Sequence, residues 1–251
     1  MPKENILEVL EHFYNEVVFP VKIGSFDISI TKLTLSMFAG VGIFLIMLVL
    51  FALKPRVVPT KRQAVVELLI NFVRRGICYN MIGPKDGDTW VPLIASVFLF
   101  VLANNMIGLI PGTYTPTSNP VVPLTMALII FFTVHITNLK KNGFKGYLQT
   151  YAPPSVPKWM LVIVVPIEFI STIAKPFSLF IRLMANMLAG HTILYVILGL
   201  ITYFKSYFIA IAAVPFALIM MLLEIFVSAI QAYVFAILSA LYIGEAVHPR
   251  H

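Results

Sequence analysis

Charge is scarce in this chain. Of its 251 residues only 12% are Asp, Glu, Lys or Arg, while 59% are hydrophobic. Soluble domains carry roughly a quarter charged residues and under half apolar ones. A water-soluble globule is therefore excluded, and lipid must solvate much of the surface. Cysteine is scarcer still: Cys78 stands alone, which excludes an internal disulfide framework. No G-x-x-x-x-G-K-[ST] loop is present, so the chain is not expected to bind nucleotide itself, and neither a cofactor nor a metal site is expected. The first residues lack a basic run followed by a short apolar core. Glu4, Glu8, Glu11 and Glu16 occupy that stretch instead, so the first long apolar segment is expected to act as the insertion signal.

What is there is hydrophobic length. The mean hydropathy is +0.93. Residues 34–53 run without a charge, about the length that crosses a bilayer core. Further spans are expected near 89–110 and 121–138. Two longer apolar segments follow at 159–203 and 207–246, separated by Lys205-Ser206. Residues 5–18 read as a short amphipathic surface helix within an N-terminal segment 1–33, and 34–251 as the membrane domain. Residues 63–82 mix Glu67, Arg74 and Arg75 with apolar positions and read as an interfacial helix. The predicted fold is thus an all-α polytopic membrane protein. It has about five crossings and an interfacial helix, and its last two helices form a tilted hairpin.

The formal net charge of +7 reads as loop charge facing the cytoplasm, with no nucleic-acid partner implied. Lys54, Arg56, Lys61 and Arg62 follow the first span, and Lys140, Lys141, Lys145 and Lys158 follow the third. The linker 111–120 is uncharged and rich in Thr, Pro and Asn. The two basic loops should share the inner side and the linker the outer side. Five crossings then put the N-terminus outside and the C-terminus inside.

Ionisable groups inside spanning helices are costly, so each marks a candidate functional site. The last hairpin carries Glu168, Lys175, Arg182, His191 and Glu224, with Asn186 and Gln231. Glu168, Lys175 and Arg182 are seven apart and share a stripe, which Ser178 and Asn186 join one turn either side of Arg182. His191, nine residues past Arg182, falls on the opposite face about 13.5 Å further along. In an antiparallel hairpin, residues at equal depth have a constant index sum. Arg182 with Gln231 and His191 with Glu224 both place the turn near 206–208, and Glu168 comes level with Glu245. His191 can pair with Glu224. Arg182 stays protonated and has no carboxylate at its depth, so either water reaches it or another chain supplies the acid.

The stretch KPFSLFIRLMANMLAGH (175–191) and the stretch LEIFVSAIQAYVFAILSALYI (223–243) resemble subunit a of F-type ATP synthases. ANNMIGLIPG (103–112) and VPIEFIS (165–171) resemble two further family segments, and the likeness runs from about residue 30 to the C-terminus. The resemblance implies a membrane stator in an energy-transducing inner membrane, bacterial or mitochondrial. Its implied partners are a rotor ring of small subunits bearing buried carboxylates, peripheral-stalk subunits and, through the complex, a soluble ATPase sector. Arg182 stands where the family has its essential arginine, which would face the ring and block a direct leak. Asn186, Gln231, Glu168 and Ser178 match polar positions of the family.

The order His191 then Glu224 is the reverse of many bacterial relatives, which place an acid directly after the A-G and a histidine on the last helix. Some relatives carry an acid where this chain has Gly108, so the second span is not expected to relay protons by itself. The implied mechanism has protons arriving from outside past His191, Glu224 and Asn105, loading a rotor carboxylate, and leaving past Glu168 and Glu245. The alternative from another class is a proton-coupled secondary transporter. Such folds show internal repeats, and this sequence has none.

Overall fold

Residues 17–20, 22–23, 26–27, 29–52, 60–110, 115–152 and 156–248 are described by the structure, a computed structural model. The start of the chain pairs as strands. β1 (Val17–Phe19) runs antiparallel to β4 (Ile30–Thr31), and β2 (Lys22–Ile23) to β3 (Phe26–Asp27). The amphipathic helix expected over 5–18 lies outside the described residues except at its end. There Val17 and Val18 are β-branched residues in a strand, not a helix. Lys54, Arg56 and Pro111-Gly112 also lie outside the described residues.

The elements that follow β4 are all helical. Thr31 opens α1 (Lys32–Ala52): its hydroxyl accepts the Thr34 N–H at 3.3 Å, which supplies a partner to a donor the first turn cannot satisfy. α2 (Lys61–Asn71) is capped by Thr60 in the same way and widens into a π-helical turn at Phe72–Cys78 before ending at Met81. The widening turns Val73, Ile77 and Cys78 inward, where all three are buried. Arg74 and Tyr79 both bond to Asp88, at 3.2 and 2.9 Å, and pin this interfacial piece to the next helix.

α3 (Gly87–Gly108), α4 (Val121–Tyr151), α5 (Lys158–Phe204) and α6 (Tyr207–Val247) are each long and apolar enough to cross a membrane. α1, with 21 residues and about 31 Å of rise, has the length of a fifth crossing. α5 and α6 have 47 and 41 residues, about 70 and 62 Å, against a hydrocarbon core of ~30 Å. Pro166, Pro176 and Pro215 interrupt them and allow the bends such lengths require. The turn between them falls where expected, with Lys205 in the left-handed region at φ 48°.

α3 and α6 share a close seam. Ala232, Ala236 and Ala240 recur every four residues on α6 and are fully buried against Val97, Val101 and their neighbours. In lipid there is no apolar driving force between helices, so small side chains that allow close approach hold the seam together. α4 does not run straight to Tyr151. Gly143 has φ 68° and ψ 176°, and the tail beyond it folds back along the helix end. Asn142 Nδ2 donates to the Ala246 carbonyl at 3.0 Å and ties this corner to the end of α6.

Candidate functional site

The buried face of α5 is Leu179, Leu183, Met187 and His191, spaced four apart and all at most 8% exposed. Arg182, Ser178 and Asn186 fall on the outward face and are exposed. The opposed faces expected for Arg182 and His191 are thus present. Among the described residues Arg182 has no ion-pair partner. Asn186, one turn further, donates from Nδ2 to Gln231 Oε1 at 3.0 Å. Gln231 is therefore level with Asn186 and not with Arg182. Its own Nε2 is buried without a partner.

On the linker side of Arg182 lies a buried polar cluster. His191 Nε2 sits 3.4 Å from Glu224 Oε1, within ion-pair reach though not in hydrogen-bond alignment, so both Glu224 oxygens lack a hydrogen bond. Gly190 makes room for this carboxylate: a Cβ there would lie 2.7 Å from Oε1. The turn 115–118 closes the cluster from above. Thr115 Oγ1 meets His191 Nε2 at 2.5 Å, and Thr117 Oγ1 donates to Asn105 Oδ1 at 2.7 Å. Asn105 Nδ2 in turn donates to the Ser228 carbonyl at 3.3 Å. Asn105, Thr117 and Ser228 are wholly buried.

On the other side of Arg182 is a cavity of about 300 Å³. Glu168, Thr172, Lys175, Glu245, Tyr242, His135 and Tyr151 line it, among others. Lys175 Nζ bonds Glu245 Oε2 at 2.7 Å. This ion pair neutralises the Lys175 charge, and Glu168, expected level with Glu245, lines the same cavity. Tyr147 and Tyr151, on the folded-back tail of α4, form a hydroxyl chain to His135: Tyr147 Oη lies 3.2 Å from both His135 Nδ1 and Tyr151 Oη. Along α5, Arg182 is about 13.5 Å from His191 and about 21 Å from Glu168. The two polar regions therefore lie on either side of one outward-facing cation.

Sequence reasoning did not single out Thr115, Thr117, Ser228, His135, Tyr147 or Tyr151. The rule that flagged Arg182, an ionisable group inside a span, applies equally to His135. The linker hydroxyls had only their density as a signal.

Residues 33–244 match the family model described as ATP synthase A chain. The chain belongs to this family. It is 38% identical over 245 residues to the ATP synthase subunit a of Magnetococcus marinus, covering 96% of this chain and 93% of that protein. It is 36% identical over 253 residues to that of Mesorhizobium japonicum, with 98% of each covered. Against that of Myxococcus xanthus it is 40% identical over 233 residues, 91% of this chain and 76% of the relative. As an ATP synthase A chain it is a multi-pass membrane protein and a stator subunit of an F-type ATP synthase, working with other subunits in ATP synthesis and proton transport. Membership in the family sets aside the secondary-transporter alternative.

Proposed function

We propose that the two polar regions are the two proton half-channels of the stator, and that Arg182 faces a carboxylate of a rotor ring between them. The observation that carries this reading is Arg182, exposed at mid-helix and without an ion-pair partner among the described residues, with separate polar regions on either side along α5. An Arg left alone in hydrocarbon is very costly, and an acid on an adjoining chain removes that cost. Protons arrive on the linker side through Asn105, His191 and Glu224 and load the rotor carboxylate. After a circuit of the ring they leave through the cavity bounded by Glu168, Lys175 and Glu245. Arg182 favours the ionised carboxylate as it passes, and its fixed charge opposes a proton leaking straight from one region to the other. Ser178 and Asn186 lie one turn either side of Arg182 on the same face, and Gln231 bonds Asn186, so these neighbours add no charge.

An imidazole exchanges protons near neutral pH, which suits the loading side. A potential of 100 mV is worth ~2.3 kcal/mol per proton, so several must pass per ATP, and a ring of carboxylates provides the gearing. Lys61, Arg74, Arg75, Lys140, Lys141 and Lys145 cluster on one side, opposite the uncharged linker, and orient the chain with N-terminus outside and C-terminus inside. The partners in this reading are the rotor ring, the peripheral stalk and, through the complex, the soluble ATPase sector, in a bacterial cytoplasmic or mitochondrial inner membrane.

The test is Arg182→Gln in the complete complex, reconstituted in vesicles. Synthesis driven by an imposed proton gradient should vanish, while the soluble sector still hydrolyses ATP. Near-normal synthesis would contradict the assignment.

A further inference from the structure

We propose that Thr115 is a positioning residue for the His191–Glu224 relay: its hydroxyl, carried in on the linker between α3 and α4, fixes the ring nitrogen that faces Glu224. The inference rests on the half-channel reading above.

Thr115 sits in an uncharged connection whose composition reads as a solvent-facing loop. Yet it is only 6% exposed, and Thr117 is fully buried. The turn is held from both ends. Ser118 donates to the Thr115 carbonyl through its N–H at 3.2 Å and its hydroxyl at 2.8 Å. Thr117 is anchored to Asn105, and Asn105 to α6. Beneath the turn, Thr115 packs directly over Gly108, where any Cβ would overlap the threonine side chain. The absence of a side chain at Gly108 thus leaves the space in which the Thr115 side chain sits.

That hydroxyl occupies the only ring nitrogen turned toward Glu224. Thr115 Oγ1 is 2.5 Å from His191 Nε2, while Glu224 Oε1 is 3.4 Å from the same atom. A single N–H cannot point well at both, and both Glu224 oxygens are without a hydrogen bond. The bond to Thr115 exists in either tautomer of the ring. With Nε2 protonated, the imidazole donates to the hydroxyl oxygen; with Nε2 bare, the hydroxyl donates to the ring. Either way the ring plane is set by Thr115, with the carboxylate waiting just beyond bonding distance. Exchange between His191 and Glu224 then needs only a small movement of a ring already aimed, which is what positioning contributes to proton transfer. Without the hydroxyl the ring can turn, and its buried nitrogen loses its partner.

Two substitutions separate hydroxyl from shape. Thr115→Val keeps the branched outline over Gly108 and removes the hydroxyl. Thr115→Ser keeps the hydroxyl and removes the methyl. ATP-driven proton pumping is measured per assembled complex in reconstituted vesicles, with His191→Ala alongside. The proposal expects Thr115→Val to lose about tenfold, the scale of one buried hydrogen bond left unmade, and Thr115→Ser to stay within about twofold of wild type. A Val variant that pumps normally overturns it, and so does an equal loss in both variants, which would show that only packing matters. If His191→Ala also pumps normally, the half-channel reading itself fails. If His191→Ala is impaired while Thr115→Val is not, only the role of Thr115 falls.

Discussion

A Cβ added to Gly190 would press on Glu224 Oε1 at 2.7 Å. Backbone cannot yield as readily as a side chain, so the carboxylate must swing out of its place beside His191. Gly190→Ala should therefore cut proton-driven synthesis by about tenfold, the loss expected when a proton donor and acceptor fall out of register. Pairing it with Glu224→Asp, one methylene shorter, should recover part of that loss. Synthesis rates per assembled complex decide this, and no loss in the single variant would mean that Glu224 is not used where it stands. The pair can also be exchanged. His191→Glu puts two carboxylates together, and Glu224→His two imidazoles, each arrangement opposing charge on both partners. The double exchange restores one of each and should pump faster than either single variant. A double defect equal to the product of the singles would show independent action. At this scale charged or amide side chains in apolar runs pointed to Arg182, His191, Glu224 and Gln231, while His135, which fits the same rule, was passed over. The sequence was a poor guide to Thr115 and Thr117, because a buried linker hydroxyl and a solvated one look alike until the linker is folded.

The helical elements follow from simple rules: uncharged runs of bilayer length, a Lys205-Ser206 break, and a charged amphipathic piece between spans. Register was legible only near the turn. From the His191–Glu224 contact to the Lys175–Glu245 contact, α5 advances 16 residues and α6 advances 21. Straight antiparallel rods would advance equally. The difference, about 7.5 Å of rise, reflects a relative bend of the two proline-containing helices together with the reach of the Lys175 side chain. A constant index sum could not anticipate it. Nor could hydrophobic periodicity show that α4 folds back at Gly143, since apolar spacing carries no information on one backbone angle. That position is a sensitive test of the tail's role. With φ 68° and ψ 176° it lies in a region that side-chain-bearing residues avoid, at a cost of ~1–3 kcal/mol. Nothing lies within 4 Å of an added Cβ, so the cost is conformational, not steric crowding. Gly143→Ala should displace the tail bearing Tyr147 and Tyr151 and lower the thermal midpoint of the purified complex. An unchanged midpoint and unchanged pumping would show that the tail tolerates another path.

At the end of the molecule opposite the linker, one carboxylate joins the start of α3 to the ends of α4 and α6. Asp86 bonds Lys141 of α4 at 3.0 Å and His248, just past α6, at 3.1 Å. The hydrogen bond from Lys141, with the charges of Lys141 and His248 adding to it, holds the Asp86 carboxyl below its ordinary value of 3.8. A lowered carboxyl pKa stabilises the fold above the ordinary value, and that stabilisation is lost as pH falls through the lowered one. Wild type should therefore melt above Asp86→Asn in detergent at pH 7, and the gap should close as the pH is taken below about 3.8. A gap that stays constant down to low pH would show that the carboxylate charge is not what fastens this end.

The central claim is that the two polar regions open to opposite sides of the membrane and meet only through the rotor. Sided thiol labelling tests it most directly. Burial pushes the native Cys78 thiol up to about 11, with the Asp88 charge adding to the effect, so few thiolates compete at neutral pH. Single substitutions Ser228→Cys and Thr172→Cys place reporters in the two regions. Sealed vesicles of known orientation are treated with a small, membrane-impermeant thiol reagent. The account predicts that Ser228→Cys reacts only from the side bearing the 115–120 linker, and Thr172→Cys only from the side bearing Lys140 and Lys141. Reaction of both from one side, or of either from both sides, would contradict it.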